Sequence, residues 1–482
     1  MNIRPLALGT QSVKGYDPLE GVARLINARI EITGEEAKRN FVARATPGLA
    51  SVGSFSGTGG VRGMLEVDGI GIGVIGRTIQ QFNAGGSATV LGGIPSDGWV
   101  GMARNARQTG TQTLIVCDGI GKYVQGGSTI DVTDTDFGTP LDVACVGNHF
   151  VTIDASGYLR ASEINDATDW DNLAIAGAQA NPDGGMRVLA RGKSVLAFGP
   201  RSFEEWAYSG ADSGLPFQFQ TATDIGCYAA GSVIAAPIVT KDLVTSSIAW
   251  AATDQYGSFA GVVLLDGTSP RKISSHSVDR DFRRCADPST IRACAYTMDG
   301  HAYIAWTIPN VTTWVYNTAT NLWHEQLSYG YDHWRVGSIC VIGNTVLAGD
   351  RASPTLYRID GDVHAEGSDP HVVTLQTPTL HAFPEPITMH QVYLGCATGV
   401  GLNTTTPADL DPTVSMSISR DGETFGNEIS RPLGRQGQTR TRLSWAGLGQ
   451  ADHRGAVFKF SASAAVVRSF MGASIAATKG RT

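Results

Sequence analysis

The first residues whose spacing suggests chemistry are the glycines of the stretch Gly71-Ile72-Gly73-Val74-Ile75-Gly76, which fit the Gly-x-Gly-x-x-Gly pattern of dinucleotide-binding loops. That pattern holds a pyrophosphate only where a strand precedes it and a helix begins at it. The residues that follow, RTIQQFNAGGSATVLGG, reach the Gly85-Gly86 pair too soon for such a helix. We therefore interpret the motif as a glycine-rich strand and expect no cofactor.

A second candidate is the stretch Ser419–Phe425, SRDGETF, which resembles the Asp-box turn of sialidases and related propellers. That turn is a structural hairpin away from the chemistry, and this chain shows one copy. A sialidase also needs an arginine cluster for the substrate carboxylate and a tyrosine nucleophile. A glycosidase or carbohydrate-binding propeller is therefore the alternative hypothesis; it predicts a monomer, and an enzyme of this type would turn over a fluorogenic sialoside.

Acidic and histidine motifs give no catalytic or metal site. Neither acidic run has the glycine-containing twelve-residue register of a calcium loop, so we interpret both as solvated turns. The pair His324-Glu325 lacks the second histidine of a zinc protease, and no Gly-x-Ser-x-Gly elbow is present. We expect no enzymatic activity, no catalytic residue and no metal ligand. The two acidic runs are Asp131, Asp134, Asp136 and Asp166, Asp169, Asp171.

A sparse basic series near the C-terminus is the one candidate binding feature. Ten Lys and Arg face four Asp and Glu from residue 413 to 482, so this part carries +6 and the rest of the chain −13. Such asymmetry suggests docking between unlike parts of neighbouring molecules, although basic side chains also protect exposed sheet edges. Phosphate contact is possible, but we favour a protein interface on an acidic neighbour. The predicted interface residues are Arg431, Arg435, Arg440, Arg442 and Arg454.

Cysteine usage and hydropathy limit the cellular setting. The seven cysteines lack C-x-x-C spacing, which argues against a disulfide scaffold or a zinc site. The N-terminus lacks the apolar core of a signal peptide, and no apolar run approaches a membrane span. These features predict a soluble protein made in a reducing cytoplasm.

The elements that position these residues are short strands. In the stretch Met186–Tyr228, apolar runs alternate with the turns Arg191-Gly192-Lys193 and Gly199-Pro200-Arg201, a pattern typical of antiparallel strands. Comparable units recur from residue 60 to about 362. Their starting residues Val143 and Val188 lie 45 positions apart. A period of this length predicts propeller blades, here six or seven, with Arg292–Glu325 as the clearest copy.

Three regions follow from this pattern. Residues 1–55 lack clean periodicity and are expected to form an N-terminal arm, and residues 56–368 the β-propeller. Prolines between Pro370 and Pro386 end the repeat. Strict alternation in Val414–Ser419 and an Asp421-Gly422 turn then predict an antiparallel β-sandwich over residues 369–482. The predicted fold is all-β, a propeller followed by a C-terminal sandwich.

Four segments in register carry a resemblance to a known family. They are SEINDATDWDNLAIAGAQANPDGG at 162–185, FGPRSFEEW at 198–206, Leu215-Pro216-Phe217, and IGCYAAGSV at 225–233. In this order and spacing they resemble the tail hub, or packaged-DNA stabilisation, protein of short-tailed bacteriophages (podoviruses). The C-terminal part is similar as well, with an Asp-Gly turn, the pair Phe425-Gly426 and a closing strand at Ala473-Ser474-Ile475.

The resemblance implies a structural virion protein of the tail, assembled in the host bacterial cytoplasm. A nozzle-type hub would form a ring of identical copies, a hexamer, below the portal and its adaptor protein. It would close the channel after DNA packaging and join the portal and adaptor ring to the tail needle and to tailspikes or fibres. Genome DNA would pass through the ring without sequence-specific binding, and a channel lined by acidic surface would let it slide. No small-molecule substrate is expected.

Overall fold

The computed structural model describes residues 3–15, 22–34, 40–107, 110–178, 180–211, 213–240 and 243–480. Contacts divide the chain into two compact units. One, which we call the sandwich unit, comprises Met1–Ala50, Thr312–Trp334 and Asp360–Thr482. The other, the propeller unit, comprises Ser51–Val311 and Arg335–Ile359. Within the described residues the regular structure is almost entirely β-strand, and the α-helices are α1 (His276–Arg283) and α2 (Pro407–Leu410).

Six short strands open the chain, with the boundary between the units inside the sixth. The strands β1 to β6 are Ile3–Leu6, Val13–Lys14, Val22–Ile26, Ala28–Ile32, Phe41–Ala45 and Gly48–Ser54.

The propeller unit then builds its sheets in sequence order, as repeated antiparallel meanders. The first sheet has β7 to β10 (Val61–Val67, Ile70–Ile75, Thr78–Phe82, Ala88–Gly93), and the second has β11 to β14 (Gly101–Arg104, Thr113–Cys117, Ile120–Gln125, Ser128–Asp131). The third has β15 to β18 (Pro140–Val146, His149–Asp154, Tyr158–Ser162, Trp170–Gly177), and the fourth has β19 to β22 (Arg187–Arg191, Ser194–Phe198, Phe203–Tyr208, Phe217–Thr223).

Three more groups of strands complete this unit. The fifth sheet has β23 to β27 (Gly226–Cys227, Ile234–Thr240, Leu243–Thr253, Phe259–Asp266, Ser269–Lys272). The sixth group has β28 and β29 (Arg292–Met298, His301–Ile308). The next two strands, β30 and β31 (Thr312–Asn317, Leu322–Gln326), lie in the sandwich unit. The seventh group has β32 to β34 (Val336–Ile342, Thr345–Asp350, Thr355–Asp360).

The fourth sheet shows why the sequence folds this way. Strand β19 pairs with β20 in the register Arg187↔Phe198, and β20 pairs with β21 in the register Phe198↔Phe203. The turn between β19 and β20 contains Gly192 at φ 59°, a left-handed conformation that glycine adopts without steric cost. The buried side chains of β20 then pack on both neighbouring sheets. The apolar runs and turns read from Met186–Tyr228 are confirmed.

Apolar clusters between neighbouring sheets close the propeller unit into a ring. One cluster joins the first sheet (β7 to β10) to the seventh group (β32 to β34). In it, Phe55, Val61 and Phe82 pack with Leu347 and Leu356. Others join the first sheet to the second, the second to the third, the third to the fourth and the fourth to the fifth. Strand β28 lies beside both β24 and β32. The described residues therefore form seven blades, the larger of the two predicted numbers.

Two sheets form the core of the sandwich unit within the described residues, and β35 and β36 (Ala365–Glu366, Asp369–Pro370) form a separate hairpin beside β6. The remaining strands of the unit, β35 to β43, are Ala365–Glu366, Asp369–Pro370, Val373–Gln376, Ile387–Cys396, Thr413–Ser419, Ile429–Pro432, Leu443–Ala451, Val457–Ala462 and Ser469–Lys479. One sheet has the order β4-β5-β43-β38-β41, with β1 on β43; the other includes β31-β3-β37-β42-β39-β40, with β2 on β3. Buried side chains of both sheets, including Leu25, Val392, Trp445 and Phe460, share one core. The predicted all-β fold, a propeller followed by a sandwich, is confirmed.

The units are assembled from different segments than the sequence suggested. The described residues of the expected arm, 1–55, are not a separate arm: β1 pairs with β43 and β3 with β37. The predicted blade Arg292–Glu325 is divided between the units, because β31 pairs in parallel with β3 at Ile26↔Glu325. Strand pairing between distant segments leaves no local pattern, so periodicity alone could not reveal it.

Candidate interaction surfaces

The glycine motif is part of a propeller sheet. Residues Gly71 and Gly73 lie in β8, between β7 and β9. A Cβ built on Gly71 would come within 2.2 Å of the Phe82 ring, so glycine is needed here for close packing. The residues after Gly76 form β9 and not a helix, which removes the structural basis for pyrophosphate binding.

The Asp-box-like turn is a self-contained hairpin of the sandwich unit. The Asp421 carboxylate accepts hydrogen bonds from the backbone N–H groups of Thr424 at 2.7 Å and Glu423 at 2.9 Å and from the Ser419 hydroxyl at 2.8 Å. These bonds, led by that from Thr424, hold the pKa of Asp421 below its usual range. All three bonds are accepted by Oδ1 and close the turn, so the motif has a structural explanation.

The acidic runs also form turns. Asp134 accepts from the backbone N–H of Asp136 at 2.9 Å and of Trp170 at 3.0 Å, and Asp166 accepts from the N–H of Thr168 at 2.9 Å. Within the described residues, no group of three or more His, Cys, Asp and Glu could hold a metal ion.

His324 and Glu325 lie in the sandwich core, where Glu325 joins the N-terminal strands to β31. Its carboxylate accepts from Arg24 Nε at 3.0 Å and Nη2 at 2.6 Å, and Lys14 Nζ lies 2.8 Å away. Burial raises the pKa of Glu325, but Arg24 and Lys14 outweigh it and bring the pKa to about 2. The ion pairs fasten β2 and β3 to β31.

The predicted basic series follows the two open edges of the sandwich. Arg431 lies on β40, the last strand of one sheet, and its Nε donates to the carbonyl of Ser444 on β41, the last strand of the other, at 3.0 Å. The indole of Trp445 donates back to the carbonyl of Ile429 at 2.7 Å. Arg431 is thus partly occupied in joining the two edges, in line with the edge-protection interpretation.

The other four arginines separate into two places. Arg435, Arg440 and Arg442 are exposed in and beside the loop between β40 and β41. Arg454 follows β41, and a strand of that length spans about 30 Å. Arg454 Nη2 also pairs with Asp452 at 2.9 Å. The structure therefore brings Arg435, Arg440 and Arg442 to one end of the sandwich and leaves Arg454 at the other.

A groove of about 540 Å³ lies at the end of the sandwich that carries Arg435, Arg440 and Arg442. The Arg442 guanidinium, which lines it, lies 5.0 Å from the centre of the Tyr393 ring. Ile3 and Met471 also line the groove and are 58% and 43% exposed. We call this groove with Arg435, Arg440 and Arg442 the basic groove. Its apolar part was not visible in the sequence, because it is built from strands at both ends of the chain.

A cavity of about 490 Å³ lies inside the propeller unit, and the sequence analysis did not predict it. Four arginines from different blades line it, together with Trp99 and Asp142. These residues are scattered over more than two hundred positions of the sequence. Three of the arginines lie at or next to the first residue of an innermost strand, and this shared position is the signal that could have predicted their proximity. The four arginines are Arg62, Arg104, Arg187 and Arg292.

The fold and these surfaces define the class of protein, a β-propeller with a C-terminal β-sandwich. Sequence models of the family described as bacteriophage P22 Gp10 match in both parts, the beta-propeller over residues 27–364 and the beta-sandwich over residues 373–478. The chain belongs to this family of tail hub, or packaged-DNA stabilisation, proteins of short-tailed phages, which confirms the resemblance. It is a structural component of the phage tail.

Other comparisons are less informative. No curated protein matches the chain. The computationally designed Ika8 protein matches at 12% identity, with a TM-score of 0.39, over 64% of this chain and 99% of that one. The WD40 beta propeller domain of Doa1 matches at 10% identity, with a TM-score of 0.41, over 65% and 96%. Similarities this low support no inference about this chain. Within its described residues, no helix is long and apolar enough to cross a membrane.

Proposed function

We propose that this protein is the tail hub of its phage. Six identical copies form a ring below the portal and its adaptor protein, close the channel after DNA packaging, and hold the tail needle and the tailspikes or fibres. The observation that carries the proposal is the family match over both the propeller, residues 27–364, and the sandwich, residues 373–478.

The mechanics of the fold suit such a role. In the propeller unit, clusters of buried apolar side chains join consecutive blades, and the first blade packs on the seventh. A closed ring of sheets has few open edges and resists deformation. A hub must carry load between the head and the tail fibres, and such a unit provides a stiff part.

The basic groove is the proposed contact between copies. Residues 413–482 carry +6 and the rest of the chain −13, so a head-to-tail contact places this basic end on an acidic surface of the next copy. Contacts of this heterologous kind close into a ring when the rotation between copies allows it. The exposed Ile3 and Met471 supply apolar area within the same groove.

Charge reversal in the basic groove tests this contact. The triple variant Arg435→Glu, Arg440→Glu, Arg442→Glu should remain a folded monomer where the unaltered chain, mixed with portal and adaptor rings, assembles into six-copy rings. The measurement is electron microscopy with sedimentation velocity. The control is Arg454→Glu, which changes a basic residue at the opposite end of β41 and should assemble normally. Normal ring assembly by the triple variant would refute the groove as the contact.

The hub function itself is tested in virions. Particles assembled without this protein should package DNA and then lose it, and adding the purified chain to freshly filled heads should retain the genome. DNA-filled and empty heads are counted by microscopy. Particles that lack the protein and yet retain DNA and carry a tail needle would contradict the proposal, whatever the outcome for the groove.

A further inference from the structure

The propeller cavity concentrates positive charge at one of its ends. Arg187 and Arg292 are the first residues of the innermost strands β19 and β28, and Arg62 is the second residue of β7. Innermost strands of successive blades run in the same direction, so their first residues meet at one mouth of the central channel. Arg104, at the end of β11, lies toward the other mouth and already faces Glu66 at 3.6 Å and Asp68 at 3.5 Å.

An indole holds two of these cations together. The guanidinium carbon of Arg187 lies 4.4 Å from the centre of the Trp99 ring, and that of Arg292 lies 4.9 Å from it. Contact with an aromatic ring stabilises a guanidinium without neutralising its charge. Two like charges are therefore held as close neighbours at the cavity wall.

Few negative groups compensate these charges. Asp142 is the only carboxylate among the described residues that line the cavity, and its Oδ1 lies 3.1 Å from Arg187 Nη1. Arg351, close behind Arg292, is adjacent to Asp350, but that carboxylate is paired with Arg335 at 3.0 Å. The pKa of Arg292 falls to about 10, first because of burial and then because of Arg351, Arg187 and Arg62. The local charge is repulsive and incompletely neutralised.

Donor groups remain unused as well. Arg62 Nε and Arg187 Nε are buried without a hydrogen-bond partner, while Arg62 Nη1 already donates to the carbonyls of Gly76 and Ser96. Arg292 Nη1 donates hydrogen bonds to the carbonyls of Ser289 and Ile291, at 2.6 and 2.9 Å. Buried donors without acceptors are costly, and charged ones more so, so an acceptor with negative charge would stabilise the folded chain.

We propose that this mouth of the cavity is a binding site for a phosphate-type oxyanion. Guanidinium groups match the oxygens of such an anion with charge-assisted, often bidentate hydrogen bonds. The cavity volume of about 490 Å³ is many times the roughly 30 Å³ that one water occupies, so it admits a phosphate group with a small organic moiety attached. The site is contained in one propeller unit and does not depend on ring formation.

Isothermal titration of the full chain tests the proposal with two probes, inorganic phosphate and a nucleoside 5′-monophosphate. Sodium chloride keeps the ionic strength constant, and the buffer contains no other multivalent anion. Binding of either probe with one-to-one stoichiometry supports the site, and tighter binding of the nucleotide identifies an organic phosphate as the source. Absence of heat with both probes at millimolar concentration would overturn it.

Two variants with opposite expected effects make the test specific. Arg292→Gln should weaken phosphate binding by about tenfold or more, since it removes one charged donor. Asp142→Asn should strengthen binding, because it removes the negative charge from the cavity lining. The matched control is Arg77→Gln, which alters an exposed arginine of the first blade that pairs with Asp97, and binding should not change. Equal binding by all four proteins would show non-specific anion effects and refute the proposal.

Discussion

Two carboxylates, one in each unit, are equally inaccessible to solvent, and yet their pKa values are shifted in opposite directions. Glu325 of the sandwich unit is 0% exposed and Asp142 of the propeller unit 1%. Burial raises the pKa of both, but at Glu325 two cations, Arg24 and Lys14, outweigh burial, and its pKa is about 2. At Asp142 burial prevails over the single cation Arg187, and the pKa is raised. Because burial raises the pKa at both sites, the number of cations in contact accounts for the difference between them.

The difference reflects what each carboxylate connects. Glu325 joins strands from distant parts of the chain, so its ion pairs stabilise a long-range assembly. Asp142 accepts from the Trp99 indole at 3.2 Å and the Val188 backbone N–H at 3.0 Å, and so positions groups of neighbouring blades at the cavity. The sandwich unit uses a buried carboxylate whose cations outweigh the cost of burial, whereas the propeller unit keeps one for which burial outweighs the attraction of Arg187.

The largest expected effect follows from removing the compensated charge. Glu325→Gln leaves Arg24 and Lys14 without their counter-charge and should destabilise the sandwich unit by about 3 to 5 kcal/mol. Hydrogen exchange read by mass spectrometry should show lost protection in β3, β31 and β37 and little change in β20. The control, Glu428→Gln, removes a partner that lies 3.3 Å from Lys459 and is 48% exposed, and should change stability by less than about 1 kcal/mol. Equal effects of the two variants would contradict the comparison.

The second-largest effect is expected on acidification, which should destabilise the sandwich unit more than the propeller unit. Burial, together with Arg29 at one site and Arg468 at the other, lowers the pKa of His324 and His371 to about 3. Both lie in the sandwich unit. A histidine whose folded pKa is depressed contributes stability above its unfolded value of about 6.5, and that contribution is lost as pH falls toward 3. Asp142, with a raised pKa, has the opposite sign, since its destabilising effect at neutral pH is relieved by protonation.

Between pH 7 and pH 4, therefore, the sandwich unit should lose hydrogen-exchange protection before the propeller unit. Rates are corrected for the intrinsic effect of pH on exchange, and peptides from β37 and β42 are compared with peptides from β20 and β25. The variant His371→Gln should lose less protection on acidification than the unaltered chain. Simultaneous loss in both units would show that these histidines do not determine acid stability.

The smallest effect on stability is expected from the substitution of Asp142. Asp142→Asn should cost only about 1 to 2 kcal/mol at pH 7, because the lost attraction to Arg187 and the altered bond to the Val188 N–H are offset by removal of a poorly solvated charge. Thermal unfolding followed by tryptophan fluorescence, with hydrogen exchange to assign the unit, measures this cost. A loss as large as that for Glu325→Gln would mean that the two sites are electrostatically alike.

The fold was largely predictable because it is built from local repeats. Each blade contains its own turns and apolar runs, as in Met186–Tyr228, so the pattern is visible within forty to fifty residues. The glycine motif at 71–76 and the turn at Asp421 were likewise correctly interpreted as structural, since each is explained by its immediate neighbours. The sequence shows the arginines of the basic series, whose role as an interface stays a prediction, but not their separation into two places, because that depends on which end of β41 each one occupies.

The amino-acid sequence by itself determined the class of fold and the family, because strand periodicity, turn residues and motif spacing are properties of short segments. Only the tertiary structure decided that the N-terminal strands complete the sandwich unit, that Arg24 and Lys14 neutralise Glu325, and that arginines from separate blades meet at one cavity. These features depend on distances between residues up to three hundred positions apart. Such distances are set by the packing of whole sheets, and no local pattern encodes them.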